Sequence, residues 1–348
     1  MKDLMTPLER AAALGAGKAV DRLPCVPIVG NTAARVIGVK VSDLRYSGEN
    51  IANAQVAAYR LFGYDNIRIF TDLYTLAEAM GAEVHYPDDE TAYLGSPAIT
   101  DEADIPKLVP ADPKKDGRLP AFLEAVAIAL DAVGKEVAVT GALTCPFTTA
   151  SFLIGAEKLA RLTLQKPDAV HALCGVALQS ALNYAEAIID AGAAPSLTDP
   201  MSSGTVVSRR VFEKFSYPYL KRLIEYIHGR GKGVTLHICG KTNKIWDLMA
   251  DAGADCISID NEVSLTDAKN AVGGRVKLMG NVRPSEIMLL GSREDVKRAT
   301  TDCVAAAHDS PKGLVVASGC SLPTETPFEN IHQMLDTVRE IGYPVKIV

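Results

Sequence analysis

The sequence predicts a (β/α)8 TIM barrel with an insertion after the second strand, organised as a single domain over residues 1–348. Three observations predict it. Eight short apolar runs alternate with longer amphipathic stretches, and strands always separated by a helix are parallel, because parallel neighbours need a crossover. Each run is rich in Val and Ile or bounded by Gly, as a strand covered on both faces is. Eight such units in a chain of 348 residues suit a closed barrel better than an open sheet.

The strands are expected at 23–29, 66–70, 136–141, 195–199, 234–239, 256–260, 277–281 and 314–320. Helices are expected at 157–164, 167–191, 209–230, 243–251, 265–272, 293–308 and 327–341. The second of these opens on Pro167 and Asp168, and Val170, Leu173, Val176, Ala177 and Leu182 then recur at helical spacing. The stretch 76–120 carries strand-like and Pro-rich pieces at 83–86, 98–100 and 105–113, and reads as a cap or extended loop after the second strand. No repeat or low-complexity segment stands out.

Composition narrows the function classes. A net charge of −6 with no Lys/Arg cluster argues against a nucleic-acid partner, which needs concentrated positive charge. No uninterrupted apolar run approaches the roughly 18 residues of a membrane span, so none is expected. The first ten residues include Lys2, Asp3, Glu9 and Arg10 and lack a signal-peptide core. Seven Cys without a secretory signal point to a reducing compartment, hence a cytoplasmic enzyme whose thiols are ligands, nucleophiles or packing groups.

In a barrel of this kind the chemistry sits at the C-terminal ends of the strands. The fifth strand ends His237-Ile-Cys239, and alternation of period two places both side chains on one face, roughly 6–7 Å apart along the strand. The eighth ends Ser318-Gly-Cys320, a further thiol at the same rim. One imidazole and two thiols with an open fourth position make the donor set of a catalytic zinc site, and a thiolate-rich zinc suits a sulfur nucleophile better than a water. Spacing alone leaves plain packing equally open, because buried Cys is a common core residue. Cys25, Cys174, Cys256 and Cys303 read as packing, whereas Cys145, just past the third strand, is a candidate to touch substrate. The other five His fall in helical or loop stretches and read as surface or capping residues.

With those residues in hand, the chain resembles the uroporphyrinogen decarboxylase superfamily, and within it the zinc methyltransferases of the methylcobamide:coenzyme M type. The resemblance spans nearly the full length. It runs through Thr6-Pro-Leu-Glu-Arg10, Val20-Asp-Arg-Leu-Pro24, Asp72, Glu78-Ala-Met-Gly-Ala-Glu83, Thr198-Asp-Pro200, Ile259-Asp260, Gly280-Asn281 and Pro323-Thr-Glu-Thr-Pro-Phe-Glu-Asn330. It implies the barrel fold, and its methyltransferase branch carries His-x-Cys followed much later by Cys, here His237, Cys239 and Cys320. Decarboxylases hold an acidic tetrapyrrole with an arginine-rich stretch after the first strand, where this chain reads Val29-Gly-Asn-Thr-Ala-Ala34. They also carry Gly-His-Gly where this chain has Gly319-Cys320-Ser321. Decarboxylation is disfavoured.

The resemblance therefore implies zinc, a methylated corrinoid supplied by a partner corrinoid protein, and a small thiol or methylated compound as the other substrate. The chain has no Asp-x-His-x-x-Gly corrinoid signature of its own. Asp260 and Glu262, past the sixth strand, are candidates for a catalytic role beside His237 or as a fourth ligand, and Asp260 also reads as a plain helix cap. Asp199 and Asn281, at the ends of the fourth and seventh strands, are candidates for substrate binding or loop ordering. Coenzyme M would demand a cationic partner for its sulfonate, and no residue identifies one in the sequence. The runner-up activity is a first-step demethylase passing methyl from a small compound to a corrinoid protein; a non-catalytic zinc scaffold would show a broken ligand set, and here the set is intact.

Overall fold

The computed structural model describes residues 3–345. Its barrel strands are β1 (Cys25–Val26), β2 (Asn66–Ile69), β3 (Ala138–Thr144), β4 (Ala194–Thr198), β5 (Thr235–His237), β6 (Cys256–Ser258), β7 (Lys277–Val282) and β8 (Leu314–Ser318). They pair in parallel in the order β1-β8-β7-β6-β5-β4-β3-β2, a (β/α)8 barrel that closes on itself except for one seam. All eight runs expected from the sequence contain a strand.

The seam lies between β1 and β2. Pro24 and Pro27 flank β1 and have no N–H to give to a ladder, so the expected seven-residue strand shrinks to Cys25–Val26. Asp65 bridges the gap instead: its amide donates to the Cys25 carbonyl at 3.0 Å, and the Cys25 amide donates to its carboxylate at 2.7 Å. The carboxylate is held in turn by the buried guanidinium groups of Arg10 and Arg22. Arg22 also holds Asp3, and Arg10 holds Asp21, so charged groups at this end of the barrel are paired rather than stranded in a low-dielectric interior.

Helices form the outer layer, with Gly48–Phe62 packed on Leu119–Val133 and Arg293–Ala307 on Phe328–Ile341. Several helices escape a periodicity reading. In Pro146–Ile154 every residue is buried, so the segment has no polar face and its sequence carries no 3.6-residue alternation. The expected helix 209–230 contains a π turn at Phe212–Ser216, just before Pro218, which has no N–H to continue an α ladder. Pro167–Asp190 is long and apolar enough by composition to cross a membrane, yet it packs on β3 and β4 with Leu173, Ala177, Ala181 and Ile188 fully buried.

The insertion follows β2 as expected and is more ordered than a loop. It holds the helix Thr75–Ala79, an antiparallel hairpin of Glu83–His85 with Tyr93–Ser96, and a 3-10 turn at Glu102–Lys107. The piece at 98–100 is not a strand. The buried Arg118 ties the start of the insertion down through Asp72 at 2.8 Å and Glu78 at 2.6 Å.

The barrel interior is not filled. A cavity of about 310 Å³ runs inside it, because inward positions such as Thr140, Ser196, Thr235 and Cys256 are short where barrels usually place bulky branched residues. It runs from Pro7, Ala11 and Leu14 of the first helix to His237, Cys239 and Cys320 at the C-terminal ends of the strands.

Candidate metal centre

His237 is the last residue of β5, and Cys239 lies two residues beyond it. Cys320 lies two residues past the end of β8. Although 81 residues separate the two thiols in sequence, the ligand atoms of all three side chains lie within 4.8 Å of one another. His237 Nε2 is 3.0 Å from Cys239 Sγ, and the two sulfurs are 3.8 Å apart.

The sulfur–sulfur distance suits a tetrahedral ion, while the imidazole nitrogen lies about 0.5 Å nearer Cys239 than tetrahedral zinc bonds would place it. Zn–S bonds of about 2.3 Å at the tetrahedral angle separate two sulfurs by about 3.8 Å. One nitrogen and two sulfurs are the borderline and soft donors that zinc takes, so the residues fit the group. The three side chains line the cavity and are neither fully buried nor exposed, leaving room for a fourth partner.

Several contacts hold the donors in place. His237 Nδ1 lies 3.0 Å from Ser258 Oγ, its register partner on β6. In the tautomer that donates Nδ1–H to Ser258, the Nε2 lone pair faces the sulfurs. Asp260 accepts from the amides of Gly240 at 2.8 Å and Glu262 at 3.0 Å, and so pins the turn after Cys239. Gly240 has φ +71°, and a Cβ there would sit 2.5 Å from Thr205 Oγ1. On the other side of the site, a Cβ on Gly319 would sit 2.6 Å from the backbone nitrogen of Asn261. Only glycine allows the chain to pass there and present Cys320.

The two thiols titrate as a pair. The hydrogen bond from Cys239 pulls Cys320 below the usual thiol range, with burial opposing and His237 assisting. Cys239 moves the other way, raised by its bond to Cys320 and by burial. Physically, one proton leaves readily and the second stays between two sulfurs 3.8 Å apart, until a dication replaces it.

The remaining sequence candidates fall in different places. Asp260 is near the group but serves the Gly240 turn rather than His237, whose partner is Ser258. Glu262 is exposed and lies outside the His–Cys–Cys group. Asp199 is fully buried outside the cavity, where Thr148, Ser202 and Ser216 donate to its carboxylate; burial nevertheless raises its pKa. Its role there is to join the loop after β4 to Pro146–Ile154. Asn281 donates to the carbonyls of Asp260 and Val263 and so orders the loop after β6. Cys145 is fully buried, and burial raises its thiol well above the usual range. None of Asp199, Asn281 and Cys145 lines the cavity.

Two polar residues of the cavity, Ser258 and Arg68, are not among the candidates expected from the sequence. A serine inside an apolar strand carries no signal of its own, and only the register of β6 against β5 sets Ser258 beside His237. Arg68 on β2 reaches past β3 to β4, where its Nη2 donates to Thr198 Oγ1, and its guanidinium lies 4.5 Å over the Phe70 ring. Burial pulls it down to about 10, with the Cys320 and Cys239 sulfurs acting the other way. The signal was available: Ile67 and Ile69 are fully buried on the outer face of β2, so alternation aims Arg68 inward.

Comparison with known proteins agrees with this architecture. The family model described as Uroporphyrinogen decarboxylase (URO-D) matches residues 6–341. The methylcobamide:CoM methyltransferase MtaA of Methanosarcina barkeri is 29% identical over 329 residues, covering 92% of this chain and 93% of that protein. A uroporphyrinogen decarboxylase of Anaeromyxobacter dehalogenans is 30% identical over 322 residues, covering 89% and 90%. A solved methyltransferase from Methanosarcina mazei superposes with a TM-score of 0.88 at 26% identity, covering 97% of this chain and 99% of the other.

Proposed function

The chain belongs to the uroporphyrinogen decarboxylase family, and within it we propose that this protein is a corrinoid-dependent methyltransferase that moves a methyl group from a methylated corrinoid to a thiol. Identity to relatives of the two activities is nearly equal, so the branch is argued from the site. The observation that carries the reading is the convergence of His237, Cys239 and Cys320 at the barrel mouth. A decarboxylase acting on an acidic tetrapyrrole has no use for two adjoining thiols, and the loop after β1 lacks the arginines such a substrate would need.

We assign zinc to these three residues, which leave a fourth position open. When bound there, zinc supplies the Lewis acidity that keeps an incoming thiol ionised at neutral pH. The chain's own residues do the rest. Ser258 selects the His237 tautomer, Asp260 and the Gly240 and Gly319 backbones set the two cysteines, and the cavity orients the acceptor with its sulfur toward the mouth. In the transfer the thiol proton goes to solvent and a sulfur lone pair forms the new S–C bond. The cobalt–carbon bond breaks with its electron pair remaining on the corrinoid. The corrinoid is carried by a partner protein docked over the mouth, and the whole chain acts as one domain.

The test combines metal analysis with methylcobalamin and a panel of small thiols. Purified protein is expected to hold one zinc and to consume methylcobalamin only with a thiol present; C239A is expected to lose both properties. Full zinc retention in C239A, or undiminished transfer by metal-free protein, would overturn the assignment. Methylation of no thiol, together with demethylation of a small methylated compound, would favour the demethylase reading instead.

A further inference from the structure

The barrel cavity has a lower half that the metal centre does not use. Along β5, β6 and β7 its lining forms two rows, His237, Ser258 and Met279 above and Thr235, Cys256 and Lys277 below. The rows are two residues apart, about 7 Å along the strands. At the N-terminal end of the strands the first helix, Pro7–Gly15, adds Pro7, Ala11 and Leu14 to the lining. Ala11 and Lys277 are exposed, so the cavity meets solvent at this end. The polar side chains that border it are largely spent within the protein. Asn66 Nδ2 donates to the Ala138 carbonyl, and Thr140 Oγ1 donates to Asn66 Oδ1. The Asp65 carboxylate is held by Arg10, Arg22 and the Cys25 amide. The remaining walls are apolar. Val26, Cys256, Met279 and Ala317 pack as a small group of their own, apart from the main core, with Ile28 and Val315 beside them. Lys277 is the exception. Leu278 is fully buried on the outer face of β7, so alternation turns Lys277 inward, and it has no carboxylate partner among the described residues. Burial pushes the neighbouring Cys256 thiol up to about 12, and the Lys277 ammonium acts the other way.

We infer that the lower half of the cavity is a second binding site, which takes a short aliphatic carboxylate with its chain inside the barrel and its acid group at Lys277. The walls choose the chain. Ordered water needs two to four polar partners, which this surface does not offer, whereas each methylene that covers it gains its transfer free energy. The lysine chooses the head. The unbalanced charge at this end is positive and stands at the solvent edge, where a carboxylate keeps part of its hydration while meeting the ammonium. The volume sets the length. About half of the 310 Å³ cavity is roughly the space that holds one benzene, so a chain of about six carbons fills it. The site is separate from the metal donors and stands whether or not the protein transfers methyl groups. When occupied, it gives the row of His237 and Ser258 an apolar floor.

The experiment measures binding by calorimetry to wild type, K277M and A11W. The probes are butanoate, pentanoate, hexanoate and octanoate, with hexanol and hexylamine as the neutral and cationic counterparts of hexanoate. Affinity is expected to rise about fourfold per methylene up to about hexanoate and then to level off as the cavity fills. Hexanol is expected to bind about 2- to 5-fold more weakly than hexanoate, the range of an ion pair open to water, and hexylamine most weakly. K277M is expected to erase the preference for hexanoate over hexanol while hexanol affinity stays at the wild-type level. In A11W the indole takes up the outer end of the cavity, and hexanoate binding is expected to fall at least about 10-fold, the loss of about two methylenes of burial. Should A11W fail to fold, the chain-length series on wild type and the K277M comparison decide the matter. Hexanoate is also expected to bind zinc-loaded and metal-free protein within about twofold. Binding that requires zinc places the acid group at the metal and overturns the site, as does an affinity that ignores chain length or a preference unchanged in K277M. None of these results bears on whether the protein transfers methyl groups, which is read separately with methylcobalamin.

Discussion

Gly319→Ala tests whether the backbone, rather than the cysteine alone, makes the metal centre. The added Cβ would lie 2.6 Å from Asn261 N, 3.0 Å from Asn261 Cβ and 3.1 Å from Asn261 Oδ1. Reaching ordinary contact at 3.4 Å demands a displacement of about 0.8 Å between the loops after β6 and β8. Asn261 is ill placed to yield, because Asp260 beside it is bonded to the Gly240 turn and Asn281 holds the carbonyls on either side. Cys320 moves instead. Metal ligands tolerate only about 0.2 Å, so the variant must choose between strain and geometry. Overpacking of this kind costs about 1–3 kcal/mol, and if the metal-free loop relaxes while the loaded one does not, zinc affinity falls by about 5- to 150-fold. Competition with a chromogenic chelator gives the affinity, and thermal melts with and without zinc locate the strain. A G319A protein that binds zinc within twofold of wild type refutes the reasoning, since the close approach would then be immaterial to the placing of Cys320.

Ser258→Ala removes the partner of His237 Nδ1 and is expected to weaken zinc binding by about 10- to 100-fold with little change in the metal-free melting temperature, both read by the same competition assay and melts. Asp65→Ala takes one of two carboxylate partners from each of Arg10 and Arg22 at the barrel seam and the acceptor from the Cys25 amide, and is expected to cost about 1–3 kcal/mol in urea unfolding, above a surface change. Acid also acts at this end. Burial alone would raise the Asp21 carboxyl, but the Arg10 hydrogen bond and the amides of Leu4 and Met5 outweigh it and hold the group down to about 2. Its contribution is complete above an unfolded value near 3.8 and is lost as pH falls from there toward about 2. Urea midpoints measured from pH 5 to pH 2 should fall less steeply in D21N, and an identical slope would count against the pairing.

Much of this molecule was legible in one dimension. Strand content survives in the sequence because parallel strands buried on two faces are short, apolar and β-branched whatever surrounds them. For the same reason His237, Cys239 and Cys320 could be placed at strand ends on one rim before any contact was known. Only tertiary structure decided how far the barrel closes, because the prolines around Cys25 shorten β1 and a carboxylate from residue 65 takes over the pairing. Only tertiary structure separated the polar residues at the strand ends. Asp199 and Asn281 look like Ser258 and Arg68 in composition, yet the first two close their hydrogen bonds within loops, and the latter two face the cavity. A sequence specifies which groups carry donors and charge, whereas the partner of each is set by register across strands and by the path of loops distant in the chain. That is why only the folded chain distinguishes Arg68, which meets the Thr198 hydroxyl and no carboxylate among the described residues, from Arg10, Arg22 and Arg118, which each hold two.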